Sequence, residues 1–239
     1  MKRLVIIPTY NEIENIQPMI DKVMSMEGDF HLLVVEDGSP DGTAGIVKVN
    51  QQQFPDRLFM LEREGKQGIG PAYIAGFKWA LQHDYDYIFE MDCDFSHNPD
   101  DLLRLYDKAA QGYDVVVGSR YLAGVNVINW PMGRLLLSYF ASKFVRTVTR
   151  MSLNDATAGF VCYSNKALNT IDLDRVKMKG YGFQVEMKYT MHRLKLPVAE
   201  VSIIFTERKE GVSKMSSGIF GEAFFGVLAL PFRRFYPLK

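Results

Sequence analysis

The chain is poor in the features that mark several large protein classes. Only 2 of its 239 residues are cysteine, Cys93 and Cys162, which lie far apart and without metal-ligand spacing. That argues against a disulfide scaffold or a thiolate metal site and leads us to expect a reduced, cytoplasmic protein. Net charge is absent as well, since 28 Lys and Arg balance 28 Asp and Glu. No global field favours nucleic acid as a partner, so any anion-binding role falls to a local patch. Long apolar runs are also missing. The longest uncharged apolar stretch, residues 223–232, falls well short of the roughly 20 residues a spanning helix needs. The opening Met-Lys-Arg-Leu-Val runs straight into a strand pattern without a signal-peptide profile, so neither secretion nor a bilayer crossing is expected.

What is present is enough to build a core: 47% of residues are hydrophobic. β-branched or aromatic runs at 4–7, 32–35 and 87–91 have strand length, and each precedes an acidic cluster. The clusters are Pro8-Thr9-Tyr10-Asn11-Glu12, Glu36-Asp37-Gly38-Ser39 and Asp92-Cys93-Asp94. A fourth acid, Asp155, stands before Ala156-Thr157. Ligands of open α/β sheets bind beyond the carboxyl ends of the strands, so these carboxylates should converge on one crevice.

Between the strands, apolar residues recur at helical spacing. Helices are predicted from 13 up to Gly28, from 41 to the stop at Phe54-Pro55, over 70–83, and over 99–111 with Pro99 near its first position. Further strands are expected at 58–61 and 115–118. Beyond Tyr121 the pattern predicts a long helix over 131–150, a strand at 159–163, a helix over 184–193 and a last strand over 198–205. The alternation predicts an α/β fold: a Rossmann-like, mainly parallel sheet with helices on both faces. One domain with a C-terminal amphipathic helix is expected.

A dinucleotide-binding fingerprint should follow the first strand, but that place holds Pro-Thr-Tyr-Asn-Glu, which excludes it. The glycine loop at 65–70 comes after the third strand and lacks a Gly-Lys-Ser/Thr triplet, so it is not a Walker loop. It reads either as an anion-facing helix start assisted by Lys66, or as a turn that needs positive φ. The two carboxylates of Asp92-Cys93-Asp94, two residues apart at a strand end, can face one side and share a hard cation. Ser96 and His97 could add a ligand, although His97 before Asn98-Pro99 reads better as a helix-entry residue.

These residues resemble inverting GT-A glycosyltransferases of family 2, and within it the dolichyl- or polyprenyl-phosphate mannose synthases. The resemblance spans nearly the whole chain. It rests on the clusters quoted above with Gly-Ile-Gly-Pro-Ala-Tyr at 68–73, Met-Asp-Cys-Asp-Phe-Ser-His at 91–97 and Gly-Ser-Arg-Tyr at 118–121. It extends through Gly-Tyr-Gly-Phe-Gln-Val-Glu-Met at 180–187 and Phe-Thr-Glu-Arg-Lys-Glu-Gly-Val-Ser-Lys at 205–214. It implies a GT-A domain over 1–212 and an interfacial segment over 213–239. It further implies donor-nucleotide contacts from Pro8, Tyr10, Glu12 and Asp37, with Lys66, Arg208 and Lys214 near the diphosphate. Asp92, Asp94 and Ser96 would hold Mg²⁺ or Mn²⁺. Arg120, Arg134 and Ser138 would cradle the acceptor phosphate, so the catalytic set is Asp92, Asp94, Arg120, Arg134 and Ser138. Asp155 either shapes the sugar pocket or caps the following turn.

The implied reaction moves mannose from GDP-mannose to a polyprenyl (dolichyl) phosphate. A UDP-sugar donor for a glucosyl or N-acetylglucosaminyl transfer keeps every motif, and a non-catalytic sugar-nucleotide-binding module remains the alternative of a different class. A lipid acceptor requires membrane contact. The phenylalanines and leucines of 220–230, followed by Pro-Phe-Arg-Arg-Phe-Tyr, suit an interfacial helix with basic and aromatic anchors, or a helix docked on its own domain. Arg146 and Arg150 either join a basic rim or answer a helix dipole. The expected location is the cytoplasmic membrane face, held peripherally or through a separate membrane-anchoring partner protein.

Overall fold

A computed structural model describes residues 1–208 and 218–233. Strands β1 (Arg3–Thr9), β2 (Phe30–Glu36), β3 (Leu58–Glu62) and β4 (Tyr87–Glu90) alternate with helices α1 (Ile13–Ser25), α2 (Thr43–Gln53) and α3 (Ile69–Gln82). After α4 (Asp101–Ala109) and β5 (Val115–Ser119) comes the short β6 (Val127–Ile128), then the long α5 (Met132–Thr149). β7 (Val161–Ser164), α6 (Asn165–Thr170), α7 (Gly182–Arg193), β8 (Val198–Ser202), β9 (Phe205–Thr206) and α8 (Gly218–Ala229) complete it. The main sheet has seven strands in the order β3-β2-β1-β4-β7-β5-β8, and β6 pairs with β9 in a separate ribbon.

Strict alternation decides how the sheet is covered. Leu4, Ile6, Leu33 and Val35 face a core built with α3, α6 and α7, which contribute Tyr73, Phe77, Leu168 and Phe183. Val5, Ile7, Leu32 and Val34 face the opposite core, with Ile16, Met19 and Ile20 from α1 and Leu102 and Leu105 from α4. Both faces are therefore dry, which is why the strands read as continuous apolar runs.

Three departures from the sequence pattern affect the site. β7 runs antiparallel to both neighbours, β4 and β5, so its entry, and not its exit, lies at the functional edge. The single strand predicted over 198–205 divides in two. Ile203 N–H still donates to Ser119 O (3.0 Å), but β9 has left the main sheet to pair with β6. α4 starts at Asp101, with Pro99 two residues ahead of it.

α8 docks on its own domain. Phe224 stacks on Phe144 of α5 (5.0 Å between centroids), Val227 and Leu230 are buried, and Arg233 pairs with Glu186. Its outward side is still apolar, with Phe224, Phe225 and Leu228 exposed. The expected domain boundary at 212/213 lies outside the described residues.

The glycine loop is shaped by a close backbone approach. Gly68 has φ +105°, a Cβ there would lie 2.9 Å from Lys179 O, and Gly70 N–H donates to that same oxygen (2.9 Å). Gly68→Ala should therefore destabilise the protein by about 1–3 kcal/mol through strain and overpacking, seen as a lower thermal midpoint. An unchanged midpoint would show that the loop yields freely.

Candidate active site

The sheet order sets the site. β2, β1 and β4 are parallel neighbours, so Asp37, the 10–12 turn and Asp92 leave the sheet at one edge. β5 and β8 run the same way and deliver Arg120 and the 203–208 segment to that edge, while antiparallel β7 is entered there from Asp155.

On the β1–β2 side, polar contacts fix the turns. Glu36 accepts from Gly38 N–H (2.9 Å) and Ser39 N–H (2.8 Å), Asn11 N–H donates to Ser39 Oγ (3.0 Å), and Glu12 N–H to Thr43 Oγ1 (3.1 Å). Pro8 sits in β1 opposite Val35, half-buried. Asp37 is buried and pairs with Arg63 (2.8 Å), a residue the sequence reading missed. Burial raises the Asp37 pKa, and the Arg63 charge opposes that rise. Exposed Lys66 lies 5.3 Å from the centre of the Tyr10 ring.

At the end of β4, the Asp92 side chain keeps 38% of its surface open and Asp94 keeps 8%. Partial withdrawal from water, then the neighbouring Asp94 charge, push Asp92 up to about 7, with Arg208 pulling the other way. Asp94 accepts from Ser96 N–H (3.1 Å) and pairs with Arg208 (3.3 Å). Ser96 Oγ is buried without a partner among the described residues. Two crowded carboxylates and an unsatisfied hydroxyl fit a hard divalent cation. Among the described residues no three His, Cys, Asp or Glu side chains form a metal cage. That is compatible with an ion held by one or two carboxylates plus substrate phosphates.

His97 is a packing residue. It is buried, stacks on Phe160 (5.0 Å) and meets Phe205 edge-on (5.2 Å). Burial lowers its pKa to about 4, which keeps it neutral, and its Nδ1 accepts from Asp92 N–H (3.4 Å).

The arginines come from the other half of the chain. Arg120 is buried and held by Asp155 through three bonds: backbone N–H (3.1 Å), Nε (2.6 Å) and Nη2 (2.8 Å). Burial pulls Asp155 upward, yet the Arg120 charge and hydrogen bonds outweigh it and hold the carboxyl below its usual range. Glu200 of β8 accepts from Asn154 N–H (2.8 Å) and Asp155 N–H (2.9 Å), fixing the turn. Asp155 therefore positions Arg120, a role neither sequence alternative named. Arg134 lies over Trp130 (4.3 Å) and pairs with Glu207 (2.6 Å), and Arg120 approaches the same indole (5.7 Å). Tyr121 O–H donates to Ser138 Oγ (2.9 Å).

The β6/β9 ribbon ties these halves together. Glu207 N–H donates to Ile128 O (3.0 Å) and Thr206 N–H to Ser96 O (3.1 Å), so one strand carries Glu207 to Arg134 and Arg208 to Asp94. Tyr181, from the quoted 180–187 motif, stands at the N-cap of α7. It is half exposed, and partial withdrawal from water and the Asp92 charge raise its phenol pKa against the opposing Arg208 and Arg134 charges. Lys214 lies outside the described residues. Beneath the site, burial raises the Glu90 pKa and lowers that of Lys188, and the charge of each opposes the shift of the other. Lys188 also donates to Ala158 O (2.5 Å), below the Arg120–Asp155 pair.

The fold is that of GT-A glycosyltransferases. Glucosyl-3-phosphoglycerate synthase of Mycobacterium tuberculosis, solved with phosphoglyceric acid, superposes with a TM-score of 0.72 at 17% identity. That match covers 96% of this chain and 79% of the other. The same protein solved with Mn²⁺, uridine diphosphate and glucosyl-3-phosphoglycerate gives 0.68 at 18% identity over 97% and 78%. The chain belongs to glycosyl transferase family 2, whose sequence model matches residues 4–172. Polyprenol monophosphomannose synthase of Mycolicibacterium smegmatis is 44% identical over 226 residues, 95% of this chain and 85% of that protein. Undecaprenyl-phosphate mannosyltransferase of Micrococcus luteus is 44% identical over 223 residues, 93% and 91%. No helix among the described residues is long and apolar enough to cross a membrane.

Proposed function

We propose that this chain transfers mannose from GDP-mannose to a polyprenyl phosphate, inverting the anomeric carbon, while held peripherally at a membrane. The observation that carries this reading is the β6/β9 ribbon, which joins an acidic pair, Asp92 and Asp94, to a basic group around Arg134. A sugar diphosphate with its cation needs the first, and an anionic acceptor needs the second. The names of the two mannosyl-transferring relatives, at 44% identity along nearly all of the chain, support mannose and a polyprenyl acceptor.

In this reading Pro8, Tyr10, Glu12, Asp37 and Lys66 bind the nucleotide, and Arg208 and Lys214 attend the diphosphate. Asp92, Asp94 and Ser96 hold Mg²⁺ or Mn²⁺, which when bound stabilises charge on the departing diphosphate. Arg120, Arg134 and Ser138 orient the acceptor phosphate for in-line attack. No general base is required, because a phosphate monoester with its second pKa near ~6 is largely dianionic at neutral pH. Glu207, paired with Arg134, yields that arginine when the acceptor arrives.

The test is transfer of label from GDP-mannose to a short polyprenyl phosphate, with Mg²⁺ or Mn²⁺ and with a chelator. Label should enter the organic phase only with the metal present. Transfer from UDP-glucose or UDP-N-acetylglucosamine alone would overturn the donor, and turnover indifferent to chelation would overturn the Asp92/Asp94 assignment. Tight donor binding with no transfer to any acceptor would leave the non-catalytic alternative.

A further inference from the structure

α5 carries one stripe that the proposed chemistry does not use. Met132, Leu136 and Phe140 are exposed and follow each other at i+4, Lys143 and Arg146 continue the same face, and Arg150 caps the helix just past its end. The opposite face, with Ser142, Val145 and Thr149, is buried. The stripe is thus apolar in its first half and cationic in its second. Phe140 is 57% exposed, and on α8, which packs against α5 through Phe144 and Phe224, Phe225 is 72% exposed.

The cationic half lines a cavity of about 400 Å³, whose walls also include Tyr121, Tyr139 and Asn154. No acid among the described residues pairs with Lys143, Arg146 or Arg150. Attraction to the carboxyl end of α5 accounts for Arg146 and Arg150, but not for Lys143, which lies further from that end, nor for the cavity. Apolar side chains left in water beside unpaired cations on one helix face are the signature of a surface that lies in a bilayer interface. The neighbouring cavity wall connects this surface to the reaction, since Tyr121 follows Arg120 and bonds Ser138.

We infer that this cavity binds the phosphate headgroup of an anionic phospholipid, while Met132, Leu136, Phe140 and Phe225 enter the acyl boundary. The inference deepens the reading of a membrane-held transferase and rests on it. The bilayer would then present the acceptor phosphate to Arg134 and Ser138 from the same face of the molecule.

The experiment is cosedimentation of the full chain with phosphatidylcholine vesicles, with and without phosphatidylglycerol and in the absence of donor and acceptor. Wild type should bind the anionic vesicles strongly. The triple variant Lys143→Gln, Arg146→Gln, Arg150→Gln should lose roughly a hundredfold in partitioning, since each surface cation is worth about a factor of five. Phe140→Ser should weaken binding while keeping its dependence on phosphatidylglycerol. The triple variant should stay folded, with only a small fall in thermal midpoint from the lost attraction to the α5 carboxyl end, and should keep its transfer to a short, detergent-dispersed acceptor, which separates this inference from the proposed reaction. Equal binding by variant and wild type would overturn the inference, as would wild type that ignores anionic vesicles. Stabilisation by inorganic phosphate without vesicle binding would assign the cavity to a free anion and overturn the lipid.

Discussion

Asp94→Asn is expected to lower transfer by roughly 10²–10³-fold with the fold intact, the scale of losing one preorganised electrostatic stabiliser. The substitution isolates charge from shape. An amide oxygen still accepts from Ser96 N–H, which now reaches Asp94 Oδ1 at 3.1 Å, so the turn after β4 keeps its anchor. What disappears is the negative partner of Arg208 and half of the charge that a divalent cation would meet. The Asp94 charge also helps raise Asp92, so in the variant Asp92 ionises at lower pH. Rates measured against metal concentration check this: the variant should need more metal and reach a lower plateau. A wild-type curve would remove Asp94 from the site.

Asp155→Asn should cost about 3–5 kcal/mol of stability, because it leaves the buried Arg120 guanidinium without its counter-charge. For a chain of this size that corresponds to a fall of roughly 10 °C in thermal midpoint. Activity should fall as well, since Asp155 sets the Arg120 side chain. A double variant separates the two effects. Arg120→Met with Asp155→Leu removes both charges, and apolar replacement of a buried pair is often neutral or stabilising. The double variant should recover the melting temperature but not the transfer. Recovery of both would show that the pair only holds the fold, and that the acceptor phosphate does not depend on Arg120.

Most elements were legible in both halves of the chain, whereas the strand directions and pairings of the second half were not. Through Ser119 the strands are short apolar runs closed by turn residues, and α1 shows its buried stripe at 16, 19, 20 and 23. Residue type and period are local, so each element could be read from its own segment. α7, predicted over 184–193 and found at Gly182–Arg193, was legible even though its amphipathic pattern is weak. Every residue from Gly182 to Met191 is buried, including Gln184, Glu186 and Lys188, so no polar face marks its period. The division of β8 from β9 was hidden, because the pairing of β9 with β6 links positions far apart in sequence.

The same contrast holds for the site. The sequence by itself determined that Asp37, Asp92 and Asp94 would stand at one sheet edge, because each follows a strand and parallel strands share their carboxyl ends. It also determined the family, through motifs whose order is local and whose spacing survives as text. Only the tertiary structure decided that β7 enters the sheet against its neighbours, which brings Asp155 onto Arg120. It likewise decided that Arg63 meets Asp37, and that one ribbon carries Glu207 to Arg134 and Arg208 to Asp94. The physical reason is that a charge in sequence has no partner. Its neighbours are set by strand direction and by which backbone ladders close, and those are properties of the folded chain alone.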